Sequence, residues 1–374
     1  MWSSGYGTCV TRNEVARLDQ FPNLDLSGDL VELAAALIDI PSVSKGEAVI
    51  ADRVELALTN CEHLEVLRSG NTVLARTNLD RAERIVIGGH LDTVPEHDNL
   101  PHAIEGGNLF GLGACDMKGG VAVALKLAAE LVEPIHDLTY LFYECEEIES
   151  RFNGLALLAE SHPEWLAANF AILMEPSNAG VEAGCQGTLR VEVATAGTRA
   201  HSARSWMGVN AIHKVGQILN RLNEYSPRVV EIDGLEYREG LNAVAISGGV
   251  AGNVIPDAAS VTINYRYAPS RLADEAVTHV REVFDGFEVR VVDNAPGALP
   301  GLHDPAAAQF IAAVGSGPTP KFGWTDVSRF SELGVPAVNF GPGDPSLAHT
   351  QGEFVPISQL MSTHAVLVGW LSGS

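Results

Sequence analysis

Basic residues are scarce in this sequence compared with acidic ones. The 374 residues include 47 aspartates and glutamates but only 24 lysines and arginines, which gives a formal net charge of -23 at pH 7. Nucleic acids and anionic membranes attract proteins through clustered positive charge. The charge balance therefore argues against both kinds of partner. Most of the carboxylates are expected to be solvated surface groups, and some of them to bind cations.

The cysteines are few and show no pattern. Their number is odd and no two of them have C-x-x-C spacing, which predicts neither a disulfide framework nor a zinc ribbon. The chain also lacks the apolar core of a signal peptide and any run as long as a membrane span. Together these absences predict a soluble cytoplasmic protein. The cysteines are Cys9, Cys61, Cys115, Cys145 and Cys185.

The length favours two domains, because 374 residues exceed the size at which a single core keeps growing. Residues 1–24 lack clear periodicity and are interpreted as an N-terminal extension. Between residues 25 and 187, apolar runs alternate with helical patterns, which predicts an α/β layer with its site at the carboxyl ends of the strands. The predicted strands are 64–75 (two), 85–87, 138–143 and 170–174; the predicted helices are 30–40, 48–58, 119–131, 153–160 and 165–168.

The pattern changes between residues 188 and 297. Strands at 188–196, 243–250, 260–267 and 287–292, with helices at 210–222 and 271–284, give the order β-α-β-β-α-β. That order is typical of a ferredoxin-like α+β domain. We expect this domain to be inserted into the first one, so that residues 25–187 and 298–374 form one catalytic domain. The second part adds a helix at 304–314, a strand at 335–340 and a helix at 360–370.

His90 and Asp92 follow the apolar run 85–87 after two glycines. Side chains alternate along an extended chain, so the two project to the same side. Asp92 can then hold one imidazole nitrogen while the other binds a metal ion. Taken alone, an H-x-D tripeptide is more often a surface loop.

Six residues with metal-binding or acid–base chemistry lie at or just after predicted strand ends or in loops. Two histidines with several carboxylates, and no thiolate, form a donor set that zinc accepts. Five ligands are too many for one catalytic zinc ion that keeps an open position, whereas two ions sharing a carboxylate use them all. The residues are His90, Asp116, Glu146, Glu147, Glu175 and His349.

Glu146 and Glu147 are adjacent, so in an extended segment they point in opposite directions. One can bind a metal ion while the other acts as a general base. An acidic pair of this kind is usually a solvated loop. Here it closely follows a fully apolar strand, which weakens that alternative.

Five segments follow one another along the chain: GGHLDTVP, GLGACDMKGG, FYECEEIE, ILMEPS and FGPGDPSLAHT. In this order, and together with the inserted domain, they resemble the M20 family of co-catalytic metallopeptidases over nearly the whole chain from about Asp25. The resemblance implies a mixed-sheet, di-zinc aminopeptidase-like catalytic domain with an inserted dimerisation, or lid, domain. Four further segments are GCQGTLRVEV, GTRAHSARSW, GGVAGNVIPDAASVTINYRYAP and KFGWTDVSRF. These resemble the branch that removes the succinyl group from N-succinyl-LL-2,6-diaminopimelate.

The resemblance also implies roles at the matching metal-site positions. Glu146 becomes the general base, Asp92 orients His90, and the peptide bond after Asp116 is cis. The expected cofactors are two Zn2+ ions, for which Co2+ is a substitute. One ion is expected on His90, Asp116 and Glu175, and the other on Glu147 and His349 with Asp116 bridging.

Four further residues, three of them in the inserted domain, receive roles from the same resemblance. His201 is expected to reach the active site of a partner subunit and to stabilise the oxyanion, which makes a homodimer the catalytic unit. Without the family, His201 would be interpreted as part of a polar loop and Arg266 equally well as a surface cation on an edge strand. The residues expected around the acyl group are Asn253, Arg266 and Thr325. A guanidinium is a natural bidentate partner for the succinyl carboxylate.

Two departures from the family pattern concern the substrate and the base. Cys145 stands where many relatives carry aspartate, and Cys185 with Gln186 stands where many desuccinylases carry arginines.

The implied reaction is amide hydrolysis that yields succinate and LL-2,6-diaminopimelate, a step towards lysine and the cell wall. The alternatives are an N-acetylornithine deacetylase or another N-acyl-amino-acid hydrolase, and a non-catalytic metal-binding dimer.

Overall fold

The computed structural model describes residue 21 and residues 23–373 of the chain. Most of the predicted N-terminal extension, residues 1–20, lies outside this part. The described residues divide into two units. The first contains the residues up to Val181, Asp304–Pro318 and the residues from Val338 onwards; the second contains Glu182–His303 and Thr319–Ala337.

Helices and strands are numbered along the described chain. The helices are α1 Leu30–Ile38, α2 Ala48–Thr59, α3 Gly119–Glu130, α4 Gly154–Ser161, α5 Ala211–Glu224, α6 Ala273–Val283, α7 Pro305–Val314, α8 Val327–Glu332 and α9 Ile357–Ser372. The strands are β1 Glu65–Ser69, β2 Thr72–Arg76, β3 Arg84–His90, β4 Ala103–Glu105, β5 Asn108–Phe110, β6 Asp137–Tyr143, β7 Phe170–Leu173, β8 Glu182–Ala183, β9 Gly187–Ala196, β10 Ala200–His201, β11 Val229–Ile232, β12 Leu235–Arg238, β13 Gly240–Gly248, β14 Val254–Ile255, β15 Ala258–Tyr267, β16 Glu288–Ala295, β17 Thr319–Pro320, β18 Ala337–Asn339 and β19 Phe354–Pro356.

The first unit is built on a mixed sheet with the strand order β1-β2-β6-β3-β7-β18. Strand β3 is parallel to both β6 and β7, whereas β2 is antiparallel to β6. All residues of β6 and β7 are buried, as expected where helices cover both faces of a sheet. Residues of α1, α3, α7 and α9 join these strands in one apolar core. The predicted α/β fold with a mixed sheet is therefore confirmed.

Helix α3, which begins three residues after Asp116, is almost completely buried. Its sequence GGVAVALKLAAE is apolar on nearly every side, which is typical of a helix enclosed by the core. A Cβ atom at Gly120 would lie 2.2 Å from the carbonyl oxygen of Met174. Glycine is needed here because the helix backbone packs directly against the chain that follows β7, one residue before Glu175.

A small antiparallel sheet of β19, β5 and β4 completes the first unit. Phe354 pairs with Phe110, and the two aromatic rings pack with their centroids 5.0 Å apart. This pairing brings the segment after His349 beside the loop that leads to Asp116. No sequence pattern predicts this sheet, because each of its strands has only three residues.

The second unit contains an antiparallel sheet with the strand order β16-β9-β15-β13. Helices α5 and α6 contribute to its apolar core together with alternate residues of β9 and β15. The chain order β9-α5-β13-β15-α6-β16 is the predicted ferredoxin-like β-α-β-β-α-β arrangement, which is confirmed. The unit also holds a hairpin of β11 and β12 and a parallel pair of β8 and β17.

One predicted helix is wrong. Residues 165–168 were expected to be helical, but Pro163–Trp165 form a short 3-10 turn and the following residues lead irregularly into β7. A single turn gains too few hydrogen bonds to stabilise a helix, and the buried Trp165 and Leu166 instead anchor the segment to the core. In the described part of the chain, no helix has the length and apolar character needed to cross a bilayer.

Candidate metal centre

The predicted metal site lies at the carboxyl ends of three neighbouring strands of the first unit. His90 is the last residue of β3, Glu147 follows β6 by four residues, and Glu175 follows β7 by two residues. Parallel strands end at the same edge of a sheet, so these side chains converge. Asp116 lies in the turn before α3, and His349 in the loop before β19.

The structure brings all five predicted metal ligands and the predicted base together. In each of three groups, the potential ligand atoms lie within 4.8 Å of one another. Asp116 belongs to two of the groups, as a bridging carboxylate would. The groups are His90, Asp116 and Glu175; Asp116, Glu147 and His349; and His90, Glu146 and Glu147.

The imidazole of His90 is oriented by a backbone carbonyl. Its Nδ1 atom lies 2.9 Å from the carbonyl oxygen of Asp92 and 3.5 Å from the nearer carboxylate oxygen of the same residue. A carbonyl oxygen only accepts hydrogen bonds, so Nδ1 carries a proton and Nε2 is the nitrogen that faces the site. Burial alone would lower the pKa of His90, but its hydrogen bonds with Asp116 and Asp92 outweigh burial and raise that pKa well above its usual value.

The Asp92 carboxylate has a further role, which is not evident from the sequence. It is fully buried and accepts hydrogen bonds from the backbone amides of Glu146 at 2.9 Å and Glu147 at 3.1 Å. The Ser44 hydroxyl donates a third hydrogen bond to it at 2.7 Å. Asp92 therefore fixes the loop that carries the acidic pair, while its carbonyl oxygen fixes His90.

A second buried carboxylate, Glu47, supports the same loop from the other side. Its Oε1 atom accepts hydrogen bonds from the amide of Cys145 at 3.1 Å and from the Cys145 thiol at 3.3 Å. Burial and the neighbouring Glu47 raise the pKa of Cys145 to about 12, so the thiol stays protonated and acts as a donor. Cys145 has a φ of 59°, a left-handed conformation that is costly for a residue with a side chain. The hydrogen bonds to Glu47 help to hold it there.

Asp116 presents one oxygen to each histidine. Its Oδ1 atom is 3.1 Å from Nε2 of His90, and its Oδ2 atom is 3.4 Å from Nε2 of His349. Burial would raise the pKa of Asp116, but these two histidines outweigh burial and lower it. The peptide bond between Asp116 and Met117 is cis, which confirms the expectation from the resemblance.

His349 is the most exposed of the five, with half of its side-chain surface accessible. Its Nε2 atom lies 2.8 Å from Oε1 of Glu147. Hydrogen bonds with Asp116 and Glu147 raise the pKa of His349 to about 10. The exposure gives solvent and small molecules access to this side of the site.

The donor set fits a pair of divalent metal ions. Two ligands of one zinc-sized ion at about 2.0–2.2 Å are separated by no more than roughly 4.4 Å, which is close to the spacing within each group. Two imidazole nitrogens and three carboxylates suit borderline ions better than soft ones. The oriented Nε2 of His90 and the shared Asp116 match what a two-ion site requires.

Four other predicted site residues belong to the second unit. His201 is exposed on β10, where it pairs with Val254 and accepts a hydrogen bond from the amide of Ala203. The carbonyl oxygen of Asn253 accepts a hydrogen bond from the amide of Ser202, so Asn253 and His201 lie in one small substructure. Thr325 is buried, and its carbonyl oxygen lies 3.6 Å from the Cys185 sulfur atom.

Arg266 lies on β15 between Gly240 and Thr188 of the neighbouring strands. Burial lowers the pKa of its guanidinium, and the nearby ionisable groups are Cys185 and Arg190. Within the part of the chain that the structure describes, no carboxylate forms an ion pair with Arg266. Its central position in the sheet differs from the alternative of a surface cation on an edge strand.

The chain matches the family described as peptidase family M20/M25/M40 over residues 86–372. It belongs to that family. It is 58% identical to the putative succinyl-diaminopimelate desuccinylase DapE of Mycobacterium tuberculosis, over 94% of this chain and 100% of that protein. It is 50% identical to the succinyl-diaminopimelate desuccinylase of Corynebacterium glutamicum, over 94% of this chain and 98% of that protein.

A solved structure of another M20 family member has the same fold. It is a dinuclear metal-binding peptidase from Bacillus subtilis, with a TM-score of 0.68, 18% identity, and coverage of 92% of this chain and 96% of the other. At that identity the likeness concerns the fold alone.

Several polar residues that support this M20 site are not predicted from the sequence. Ser44, Glu47 and Glu353 are polar residues that hold the ligand-bearing loops by hydrogen bonds. Their partners are mostly backbone amides far away in the chain, so no spacing or motif points to them. Only Glu353 has a position in the sequence that indicates a link to the site, because it lies four residues after His349 in the segment HTQGE.

Proposed function

We propose that the protein is a zinc-dependent desuccinylase. It hydrolyses the amide bond of N-succinyl-LL-2,6-diaminopimelate to succinate and LL-2,6-diaminopimelate, a step in the biosynthesis of lysine and meso-diaminopimelate. The observation that carries the proposal is the convergence of five metal-ligand side chains with Glu146 at one sheet edge. The identity of 58% over the full length of a relative named for this reaction supports the substrate.

Two zinc ions are the proposed cofactors, with Co2+ as a substitute. His90, Asp116 and Glu175 would hold one ion, and Glu147 and His349 the other, with Asp116 shared between them. When bound, such a pair supplies electrostatic activation of a water molecule and of the amide carbonyl. The two oxygens of Asp116, which face different histidines, support the bridging role.

Glu146 is the proposed general base and acid. It takes a proton from the attacking water and delivers it to the nitrogen atom of the leaving amine. Asp92 holds the Glu146 backbone amide at 2.9 Å, which supports a fixed position for the carboxylate beside His90 and Glu147. Proton transfer over hydrogen-bonding distance requires such a fixed position.

Arg266 is the proposed partner of the succinyl carboxylate, with Asn253 and Thr325 as further substrate-binding residues. A guanidinium binds a carboxylate through two parallel hydrogen bonds. Arg266 is partly buried and has no carboxylate partner among the described residues, which supports a ligand rather than a structural ion pair. An acetyl group offers no such carboxylate, so this residue bears on the choice between the two substrates.

The proposed functional unit is a cytoplasmic homodimer formed through the inserted domain, residues 188–297. Strand β13 is an edge of its sheet, and its apolar side chains Val244 and Ile246 are 60% and 55% exposed. An exposed apolar edge strand is typical of a surface that pairs with another chain. In such a dimer, His201 of each subunit would stabilise the oxyanion in the partner's site.

The test is steady-state hydrolysis of N-succinyl-LL-2,6-diaminopimelate beside N-acetylornithine by the purified, zinc-loaded protein. We expect a preference for the succinyl compound by several orders of magnitude in kcat/KM. A preference for N-acetylornithine would make the protein a deacetylase with the same chemistry. Turnover of neither compound with two zinc ions bound would favour another acyl group or a non-catalytic metal-binding dimer.

A further inference from the structure

Glu353 is a buried carboxylate that contacts the loop carrying Asp116. Its Oε1 atom accepts hydrogen bonds from the amides of Cys115 at 2.9 Å and Asp116 at 3.1 Å, and its Oε2 atom accepts one from Gly113 at 3.1 Å. Only 2% of the residue is exposed. Three backbone donors of one short loop therefore depend on a single side chain from the other end of the sequence.

The loop has little regular structure of its own to hold it. Asp116 has φ and ψ of -122° and 89°, Met117 has -135° and 36°, and Gly113 has a φ of 76°. These values exclude a continuous helical hydrogen-bond ladder through the loop. Buried amides without an acceptor are costly, so the loop needs an acceptor from elsewhere in the chain. Glu353 supplies it.

Glu353 is itself held in place from both sides. Its backbone carbonyl oxygen accepts a hydrogen bond from the amide of Gly111 at 3.1 Å. Its backbone amide donates a hydrogen bond to the carbonyl oxygen of Thr350 at 3.2 Å. The next residue, Phe354, begins β19 and pairs with β5. His349 lies four residues earlier, so Glu353 connects the backbone segment of His349 to the loop of Asp116.

We propose that Glu353 is a positioning residue of the metal centre, which holds the loop of Asp116 so that its two oxygens face His90 and His349. This role rests on the proposed two-ion function and adds to it a residue that binds no ion. The carboxylate of Glu353 faces three amides and neither histidine, so it acts on the ions only through Asp116. Removing its acceptor oxygens is expected to weaken zinc binding more than it weakens the fold.

The test compares zinc binding by the wild type and the variant Glu353→Gln. Glutamine keeps the size and one acceptor oxygen but turns an NH2 group towards a backbone donor. The metal-free proteins are titrated with Zn2+ in competition with a chelating dye, and their thermal unfolding is recorded. We expect zinc affinity to fall by roughly 10- to 100-fold, the usual effect of losing a residue that supports a metal ligand. We also expect kcat to fall with KM little changed.

Asp137→Asn is the matched control. Asp137 is also a buried carboxylate of the first unit and accepts hydrogen bonds from the amides of Leu79 at 2.8 Å and Arg81 at 2.9 Å. It lies at the start of β6, at the opposite end of that strand from Glu146. We expect this variant to lose a similar amount of thermal stability in the metal-free state, with wild-type zinc affinity and kcat.

Wild-type zinc affinity and kcat in Glu353→Gln, together with a loss of stability like that of Asp137→Asn, would overturn the proposal and leave Glu353 a purely structural role. Should Glu353→Gln fail to fold, Glu353→Asp keeps both oxygens on a shorter side chain. Weakened zinc binding by that variant supports the proposal, and unchanged binding overturns it. The titration needs no substrate, so a wild type that binds zinc but does not hydrolyse the succinyl compound refutes only the proposed function.

Discussion

The carboxylate of Asp92 lies 2.9 Å from the backbone amide of Glu146 and accepts its hydrogen bond. The carbonyl oxygen of Asp92 lies 2.9 Å from Nδ1 of His90. One buried residue therefore sets the position of both the proposed base and a proposed metal ligand, and it uses a different oxygen for each. A substitution of the Asp92 side chain should affect the two functions unequally.

Asp92→Asn is expected to reduce kcat/KM by roughly 10- to 100-fold while the zinc ion on His90, Asp116 and Glu175 stays bound. The NH2 group of the asparagine side chain would face a backbone N–H donor and release the loop of Glu146. The backbone carbonyl oxygen of residue 92, which orients His90, is unchanged. Steady-state kinetics and metal analysis of the purified variant test this. Ser44→Ala, which removes only the hydroxyl donor 2.7 Å from Asp92, should stay within a few-fold of the wild type. Loss of both zinc ions from Asp92→Asn would contradict the proposed division of roles.

Glu146→Gln is expected to lower kcat by about 10²- to 10⁴-fold, because a glutamine cannot take the proton from water. Zinc content and unfolding temperature should remain close to those of the wild type. Glu144→Gln is the matched control, since Glu144 lies two residues earlier and accepts a hydrogen bond from the amide of Asn71. If both variants retained wild-type kcat, another residue would have to be the base.

The catalytic layer could be predicted from sequence because buried parallel strands leave a clear pattern. The runs that form β3, β6 and β7 are mostly apolar and almost completely buried, and each one ends at or within a few residues of a predicted site residue. Strand ends at one sheet edge fix the neighbourhood of those residues without any knowledge of their contacts. For this reason the sequence predicts His90, Glu147 and Glu175 at one site, and the structure places Glu147 and Glu175 in separate groups of potential ligand atoms that each contain His90.

The residues that support the site could not be predicted in the same way. Glu47 and Glu353 bind backbone amides whose positions depend on the whole fold, with partners 98 and about 240 residues away. Short strands could not be predicted for a different reason, because a strand of three residues such as β19 is too short to show a periodic pattern. The grouping of Thr319–Ala337 with the second unit is also set by tertiary packing, and no change in composition marks it.

Arg266→Ala is expected to lower kcat/KM for the succinyl substrate by roughly 10- to 100-fold, the contribution of a charge-assisted hydrogen-bond pair. Any activity on an N-acetyl substrate should be unchanged, because an acetyl group has no carboxylate to lose. Arg266→Lys should be intermediate, since lysine keeps the charge but not the planar fork. Kinetics with both substrates test this.

Arg190→Ala is the control for the Arg266 variants. Arg190 lies on the neighbouring strand β9, is half exposed and forms an ion pair with Asp293. Exposed pairs of this kind contribute little, so its loss should leave both activities near the wild-type values. An Arg266→Ala variant with undiminished kcat/KM for the succinyl compound would remove the argument for a desuccinylase pocket.

Glu239 predicts a pH dependence of the stability of the second unit. Its carboxylate is inaccessible to solvent and accepts hydrogen bonds from Arg228 and Tyr265. Burial would raise its pKa, but these partners, the Ala268 amide and the charge of Arg271 outweigh burial and lower it to about 2. A depressed pKa stabilises the fold above the unfolded-state value of 4.5, and this contribution is lost as the pH falls from about 4.5 to about 2.

Glu239→Gln should therefore reduce the free energy of unfolding at neutral pH by roughly 3 kcal/mol. The difference from the wild type should narrow as the pH falls below about 4.5. Urea unfolding at a series of pH values measures this. Glu236→Gln, which removes the exposed partner of Arg238, should show little effect at any pH. A difference for Glu239→Gln that does not change with pH would show that the glutamate is uncharged at neutral pH.

Ile246→Lys tests the proposed dimer. Ile246 lies on the edge strand β13 and is 55% exposed, so a lysine there costs the isolated chain little. In a dimer that pairs through β13, the same change would bury two charges, and we expect monomers in analytical ultracentrifugation. Because His201 is proposed to act in the partner's site, kcat should fall together with dimerisation.

Val292→Lys is the control for Ile246→Lys, since Val292 is 45% exposed on β16 at the other edge of the same sheet. It should remain dimeric and active. A monomeric Ile246→Lys variant with full activity would separate assembly from catalysis and leave His201 without its proposed role. A dimer that survives Ile246→Lys but dissociates with Val292→Lys would move the interface to the opposite edge.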